Sequence, residues 1–332
     1  MKENITRYLT DLQDTICTAI EQTDGQTTFR EDAWQHHSGG GGRTRVMANG
    51  GIIEKGGVNF SAVHGQTSDA LIKQMKLTEK ADFFATGVSI VMHPQSPMVP
   101  IIHMNIRYFE LSNGTCWFGG GIDLTPHYVD VADAHWFHAQ LKAVCDRHHP
   151  DYYPKFKDWA DHYFYIPHRQ ETRGVGGIFY DYLKPKGATN NTATEALAKT
   201  KEETFAFMRD VGDCFAPIYT HLMKKNADLP YDEAQKYWQL LRRGRYAEFN
   251  LAWDRGTKFG LETNGRTESI LMSLPPMANW VYDHQTTQGS AEAETLRLLK
   301  KGINWWFWGI DYLKLTIAYC TSCLLGGQFY RF

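Results

Sequence analysis

Three chemically capable side chains alternate along one short apolar stretch of the chain. His103, Asn105 and Arg107 lie two residues apart within residues 101–110, so in a β-strand they would project from the same face. An imidazole can transfer a proton near neutral pH, and a guanidinium beside an amide can bind an anion. This spacing therefore predicts a site that combines proton transfer with recognition of an acidic ligand.

An aspartate follows closely on a glycine-rich stretch. Three glycines at positions 119–121 precede Ile122 and Asp123. Glycine permits tight turns and close approach of the backbone to a ligand. The Asp123 carboxylate could accept hydrogen bonds from a ligand that carries N–H groups. The alternative interpretation is that Asp123 caps a turn or a helix.

Arginines and glycines are concentrated between residues 242 and 280, although the whole chain carries a formal charge of −2. The arginines are Arg242, Arg243, Arg245, Arg255 and Arg266. Guanidinium groups recognise carboxylates and phosphates through paired hydrogen bonds. This segment therefore indicates a role in binding an acidic group.

Fourteen histidines are spread along the chain. Those in or beside segments with regular structure are His93, His103, His138 and His168. No pair has the HExxH spacing of a zinc-binding helix, and a lone histidine is more often an ordinary hydrogen-bonded residue than a metal ligand. The residues alone therefore do not assemble a metal site.

Several classes of function are disfavoured. The chain has no G-x-S-x-G nucleophile motif and no phosphate-binding loop, and its net charge of −2 is unlike that of a general nucleic-acid binder. Its six cysteines are scattered, and Cys320-x-x-Cys323 has no second pair, which is typical of a reducing compartment. The N-terminal residues lack a signal-type apolar segment, and no stretch has eighteen uninterrupted apolar residues. We expect a cytoplasmic protein without a transmembrane segment.

Hydrophobic periodicity predicts the secondary-structure elements. The expected helices cover residues 3–22, 132–147, 153–164, 192–225, 231–242 and 292–301. The expected strands cover residues 44–48, 58–62, 87–92, 101–110, 115–118, 177–183, 245–254 and 269–273. Neighbouring short strands with helices in separate blocks are typical of an α+β domain with a mainly antiparallel sheet. We expect one domain over residues 1–306, followed by an atypical tail at 307–332.

Several of these blocks, taken in order, resemble the oxygen-dependent coproporphyrinogen III oxidase family. The matching stretches are GGGGRTRV (39–46), GVSIVMHP (87–94), IIHMNIRYFE (101–110), WFGGGIDLTP (117–126), YFYIPHRQETRGVGGIFYD (163–181) and RRGRYAEFNLAWDRGTKFGLETNGRTESILMSLPP (242–276). One glycine block alone would be weak, but the ordered set is specific. Two positions depart from the family pattern: Tyr180 replaces an aspartate and Asn264 replaces a glycine.

The resemblance implies a single large, mainly antiparallel β-sheet flanked by helices on both faces, assembled as a homodimer. The implied reaction is the oxidative decarboxylation of two propionates of coproporphyrinogen III to vinyl groups. Its products are protoporphyrinogen IX, carbon dioxide and hydrogen peroxide. Dioxygen is the implied co-substrate, and no organic cofactor is required. The alternatives on the same fold are a tetrapyrrole-binding protein without turnover and a histidine-metal oxygenase.

The resemblance also assigns roles to residues. His103 resembles the family's proton donor, Arg107 and Arg266 resemble anchors for propionates, and Asp123 resembles the acceptor beneath the pyrrole nitrogens. The implied substrate contacts are Ser89, Asn105, Ile106, Arg107, Asn264, Gly265 and Arg266. Some family members bind a divalent metal, and the matching positions are His93, His103, His138 and His168. Residues 246–281 correspond to the family's dimerisation segment.

Overall fold

The computed structural model describes residues 1–69, 72–73, 77–186, 197, 199–262 and 265–306. A seven-stranded sheet lies at the centre of these residues, and all its neighbouring strands are antiparallel. In spatial order its strands are β1 (Arg30–Gln35), β2 (Gly40–Ala48), β3 (Ile53–Gln66), β4 (Asp82–Pro94), β5 (Ile101–Leu111), β6 (Cys116–Thr125) and β9 (Gly176–Leu183). A small second sheet pairs β7 (Tyr165–Ile166) with β8 (Glu171–Thr172). The predicted α+β class is confirmed.

Helices account for most of the remaining described residues. They are α1 (Lys2–Asp24), α2 (Val131–Asp146), α3 (Tyr152–Tyr163), α4 (Lys201–Asp213), α5 (Phe215–Asn226), α6 (Glu233–Ala252), α7 (Arg255–Glu262), α8 (Thr267–Leu271) and α9 (Ala291–Leu298). The helices expected at 3–22, 132–147, 153–164 and 292–301 are thus confirmed to within a few residues. The tail at 307–332, with Cys320 and Cys323, lies outside the described residues.

One long helix was expected at 192–225, but the described residues of this range form two helices, α4 and α5. α4 ends and α5 begins at Cys214, whose sulfur donates to the Val211 carbonyl oxygen. α4 starts at a capping box, in which Thr200 and Glu203 each accept a hydrogen bond from the other's backbone N–H. Residues 192–196 and 198 lie outside the described ranges.

The two faces of the central sheet differ in character, and β5 shows the difference most clearly. Ile102, Met104 and Ile106 are fully buried and belong to the main hydrophobic core. The intervening residues, His103 and Asn105 among them, are only half-buried. The apolar face packs against α1 and α4, whose buried side chains join the same core. Stability therefore comes mainly from one face, and the other face is available for chemistry.

The second face, called here the polar face, is organised in register rows, because directly paired residues point to the same side. One row contains Val46, Gly57, Val91, His103 and Asp123. The next contains Asp32, Thr44, Asn59, Ser89, Asn105, Gly121 and Phe179. The third contains Trp34, Gly42, Ser61, Gly87, Arg107 and Gly119. Residues distant in the chain are thereby brought onto one surface.

Helices α6 and α8 lie against the polar face, and both include residues that were expected to form strands. Residues 245–252 continue α6, and the expected strand at 269–273 begins within α8, so both strand predictions are wrong. The buried positions of α6 do follow helical spacing, for example Gln239, Arg243, Tyr246 and Asn250. Three of these four are polar, so an apolar period could not be read from the sequence.

Substitutions on the two faces of β5 should differ in their effect on stability. Ile106→Ala removes a fully buried side chain, and we expect it to lower the free energy of unfolding by about 2–5 kcal/mol. Asn105→Ala, one residue away on the polar face, should cost less than about 1 kcal/mol. Denaturant unfolding at fixed protein concentration measures both, and equal losses would contradict the assigned facing.

Candidate active site

The predicted alternation along residues 101–110 is confirmed, and it places the candidate residues together. His103, Asn105 and Arg107 occupy three successive rows of the polar face. Ser89 is the β4 neighbour of Asn105, and Asp123 is the β6 neighbour of His103. The sheet therefore assembles five side chains from three strands without any loop.

His103 is oriented by Asp123. Its Nδ1 lies 2.7 Å from Asp123 Oδ1, and its side chain is 20% exposed. Burial alone would raise the pKa of the Asp123 carboxyl, but the Arg173 guanidinium and His103 lower that pKa below its ordinary value. An ionised carboxylate only accepts hydrogen bonds, so Nδ1 must carry the proton. This leaves Nε2 of His103 as the atom that can accept or deliver a proton at the site.

Arg173 is a residue that the sequence analysis missed. Its Nη2 donates to both Asp123 oxygens at 2.7 Å, and its Nη1 donates to Asn250 Oδ1 at 3.0 Å. The guanidinium carbon lies 4.4–4.9 Å from the ring centroids of Phe164, Tyr246 and Phe249. Arg173 and Asp123 are only 3% and 1% exposed, so the pair is almost completely desolvated. The one signal in the sequence was an arginine beside the glycine stretch at 174–177.

The location of Asp123 decides against the alternative interpretation of this residue as a cap. It lies within β6, so it does not cap a turn or a helix. Its carboxylate is buried and accepts hydrogen bonds from His103 and Arg173. Its chemical effect is exerted through His103, whose tautomer and orientation it fixes.

Arg107 lies between two glycines, Gly87 on β4 and Gly119 on β6. Its Nη1 donates to Asn105 Oδ1 at 2.7 Å, and its Nη2 lies 2.9 Å from Asp181 Oδ1. The guanidinium rests against Gly119, where an added Cβ would come within 3.0 Å of Arg107 Nε. The side chain is 37% exposed, so part of the cation remains accessible to an acidic ligand.

Arg266, the other expected anchor, lies toward the opposite edge of the polar face. It pairs with Asp32 on β1, and its Nη1 donates to Ser269 Oγ at 3.1 Å. The neighbouring Gly265 donates its N–H to the Gly260 carbonyl oxygen at 2.8 Å. Asn264 lies outside the described residues. The side chain of Ile106 faces the apolar core, so only its backbone belongs to the site.

Aromatic rings border the region around Arg107. Phe179 packs over Gly121, where an added Cβ would lie 3.1 Å from the ring, and Tyr163 stacks on Phe179 with 4.0 Å between centroids. Tyr163 also donates its hydroxyl to Asp254 at 2.7 Å, and the guanidinium of Arg255 lies 5.1 Å from its ring. These rings supply an apolar wall beside Arg107. The departure at Tyr180 lies on the opposite face of β9, within the core.

The four histidines considered as metal ligands do not fit one shared centre. His138 is fully buried. Its Nδ1 lies 3.0 Å from the Tyr153 hydroxyl, and its Nε2 lies 3.0 Å from the Val175 carbonyl oxygen. His93 Nε2 is 2.8 Å from the Ser273 carbonyl oxygen, and His168 pairs with Glu248. No group of three or more His, Cys, Asp or Glu side chains within the described ranges is arranged to hold a metal ion.

The arginines of residues 242–266 do not form a single anion-binding site. Arg242 donates to Glu171 at 3.0 Å, and Arg243, which is fully buried, pairs with Glu54 at 2.6 Å. Arg245 lies 3.6 Å from Glu248. These three guanidinium groups are therefore engaged in ion pairs with glutamates on β8, β3 and α6. Of the original set, Arg266 pairs with Asp32 of the polar face, and Arg255 lies against the ring of Tyr163.

A sheet that presents an imidazole with a fixed tautomer beside accessible guanidinium groups defines an enzyme that combines acid–base chemistry with binding of an anionic ligand. The family model for coproporphyrinogen III oxidase matches residues 4–305. The chain belongs to the coproporphyrinogen III oxidase family.

Curated relatives give the same assignment. The chain is 47% identical over 307 residues to the oxygen-dependent coproporphyrinogen-III oxidase of Parasynechococcus marenigrum (strain WH8102), covering 89% of this chain and 84% of the relative. It is 45% identical over 317 residues to that of Synechococcus sp. (strain CC9605), covering 92% and 87%. It is 46% identical over 312 residues to that of Prochlorococcus marinus (strain NATL2A), covering 90% and 89%.

The buried ion pair should be far more sensitive to substitution than an exposed one of the same chemistry. Asp123→Asn leaves the Arg173 cation buried without a counter-ion, and we expect a loss of about 3–5 kcal/mol in the free energy of unfolding. Asp32→Asn, which breaks the partly exposed pair with Arg266, should cost about 0–1 kcal/mol. Denaturant unfolding of both variants gives the comparison.

The same pair predicts a pH dependence. Because folding lowers the pKa of Asp123, its stabilisation is present above the ordinary pKa of aspartate and is lost as the pH falls through the folded-state pKa. The stability of Asp123→Asn should therefore fall less steeply with acid than that of the natural chain. If the free energy of unfolding, measured by denaturant titration at several acidic pH values, fell equally in the two proteins, Asp123 would not be the group responsible.

Proposed function

We propose that this protein catalyses the oxygen-dependent conversion of coproporphyrinogen III to protoporphyrinogen IX in haem biosynthesis. Each of two propionates loses carbon dioxide, two electrons and one C–H proton and becomes a vinyl group. Dioxygen takes up the two electrons, that proton and one further proton to give hydrogen peroxide. The observation that carries this proposal is a family match over residues 4–305, which includes the whole polar face with His103, Arg107 and Asp123. The protein is accordingly an oxidoreductase.

The conversion takes up one further proton for each propionate, and we propose that His103 supplies it. Its Nδ1 is fixed by Asp123, so Nε2 is the atom available for transfer. We propose that Arg107 binds a substrate carboxylate, assisted by Ser89 and Asn105, and that Arg266 binds another with Gly265 and Asn264. The rings of Phe179 and Tyr163 would contact the pyrroles.

We propose that the reaction needs no organic cofactor, because the electron-rich pyrrole can itself react with dioxygen. A divalent metal on the four histidines has little support in their geometry, since His138 uses both ring nitrogens in hydrogen bonds. None of the described helices is long and apolar enough to cross a membrane. A cytoplasmic location and one catalytic domain over residues 1–306 are part of the same proposal.

A homodimer through residues 246–281 is also proposed. This segment holds a concentration of large apolar side chains on the surface of the described chain. They are Leu251, Trp253, Leu261, Met277, Trp280 and Val281, each 38–56% exposed. Large exposed apolar side chains concentrated in one segment support an interface between subunits there.

Turnover of coproporphyrinogen III by chelator-treated protein tests the function. We expect protoporphyrinogen IX and hydrogen peroxide to form without added metal, and His103→Ala to lower kcat by roughly 10²–10⁴-fold. His162→Ala, an exposed histidine on α3, is the matched control and should retain the natural rate. Binding without product would favour a carrier protein, and activity restored only by a metal would favour a metal-dependent oxygenase.

Removal of exposed apolar side chains tests the dimer. The double variant Met277→Ser and Trp280→Ala should weaken self-association by roughly 30-fold or more if these side chains lie near the centre of the interface. Tyr231→Ala removes a similarly exposed ring outside the segment and should leave association unchanged. Sedimentation velocity would show the 38.0 kDa monomer in the first case, and an unaltered dimer there would refute this interface.

A further inference from the structure

Two partly exposed arginines of the polar face, Arg107 and Arg266, are each paired with an aspartate on an edge strand of the sheet. Arg107 reaches from β5 to Asp181 on β9, and Arg266 reaches from the start of α8 to Asp32 on β1. β1 and β9 are the two edge strands of the sheet. Both guanidinium groups therefore point outward, away from the middle of the polar face.

The Arg107 pair depends on local features of the backbone. The pairing of β6 with β9 shifts register between Phe118 and Gly120, so β9 carries an extra residue opposite Gly119. Tyr182 has a φ of 48° there, and its N–H donates to Asp181 Oδ1 at 2.9 Å. This bulge presents the Asp181 carboxylate to the polar face. Because Gly119 has no side chain, the guanidinium can lie across β6 and reach it.

These two pairs differ from the Arg173–Asp123 pair in their access to solvent. Arg107 and Asp181 are 37% and 16% exposed, and Arg266 and Asp32 are 29% and 38% exposed, whereas Arg173 and Asp123 are 3% and 1% exposed. An exposed ion pair contributes little net free energy and can be replaced by another carboxylate of similar geometry. A fully desolvated pair cannot be separated without a large penalty.

We propose that Asp181 and Asp32 are exchangeable counter-ions, which the substrate's carboxylates displace from Arg107 and Arg266. This inference rests on the proposed function, whose substrate carries four carboxylates. On binding, each arginine turns inward and exchanges one carboxylate partner for another, so the site never contains an unpaired cation. When a bound propionate becomes a neutral vinyl group, the aspartate can return to its arginine and the product loses an attachment point.

The proposal predicts that each aspartate opposes substrate binding. Asp181→Asn keeps a carbonyl oxygen for Arg107 and removes the competing charge, and Asp32→Asn does the same for Arg266. Arg107 stays oriented in the first variant, because its Nη1 still donates to Asn105. We expect each variant to bind coproporphyrin III, the oxidised tetracarboxylate, about threefold to tenfold more tightly, and to show a lower KM for coproporphyrinogen III.

Two controls separate exchange from a general effect of charge. Glu31→Gln removes a negative charge next to Asp32 in sequence, but on the other face of β1, where Glu31 pairs with Arg45. This variant should bind coproporphyrin III as the natural chain does. In an Arg107→Ala background, Asp181→Asn should no longer improve binding, because the partner for which the carboxylates compete is absent.

Fluorescence titration with coproporphyrin III measures these dissociation constants without requiring turnover. Unchanged or weaker binding by both Asp→Asn variants would overturn the proposal, and so would a gain that persists without Arg107. Circular dichroism would confirm that each variant is folded. A natural chain that binds coproporphyrin III but does not convert coproporphyrinogen III would refute the proposed function alone, and the titrations would still decide the exchange.

Discussion

The buried ion pair between Arg173 and Asp123 is the interaction on which the site depends. Two opposite charges are kept out of water, and their hydrogen bonds and the three rings around the guanidinium offset the cost of desolvation. The pair joins β6 to the segment before β9 and to α6, because Arg173 also donates to Asn250. The same carboxylate fixes the proton on His103. One contact therefore connects the packing of three elements to the protonation state of the group proposed to react.

The central sheet separates stability from chemistry. Its apolar face contacts the main core, so the positions of the strands are set by close packing that tolerates little displacement. The polar-face side chains on β4, β5 and β6 are fixed in consequence, since each is one residue away from a core side chain on the same strand. Catalytic groups placed on such strands keep their mutual geometry better than groups on loops. Glycines on this face, such as Gly119 and Gly121, leave room for neighbouring long side chains to lie flat.

Local patterns were enough to predict part of this arrangement. The alternation of His103, Asn105 and Arg107 identified the polar face because a strand's period of two is visible in a single segment. Helix α6 was partly misassigned as a strand because its buried face includes Gln239, Arg243 and Asn250. The partners of the arginines could not be predicted, since Arg173 lies 50 residues from Asp123 and Arg266 lies 234 residues from Asp32. Such pairs depend on the register of the complete sheet, and no local spacing encodes them.

The ion pairs also explain how a slightly acidic protein can recognise a polyanion. A net charge of −2 provides no general attraction for a ligand with four carboxylates. Several conspicuous arginines, including Arg242 and Arg243, are committed to buried internal carboxylates, so they add little positive potential at the surface. Under the proposed exchange, recognition comes from the few guanidinium groups whose partners are exposed enough to be replaced. For such groups, the binding free energy reflects the difference in free energy between two similar ion pairs. Specificity then depends on whether a ligand presents its carboxylates at the spacing of the arginines.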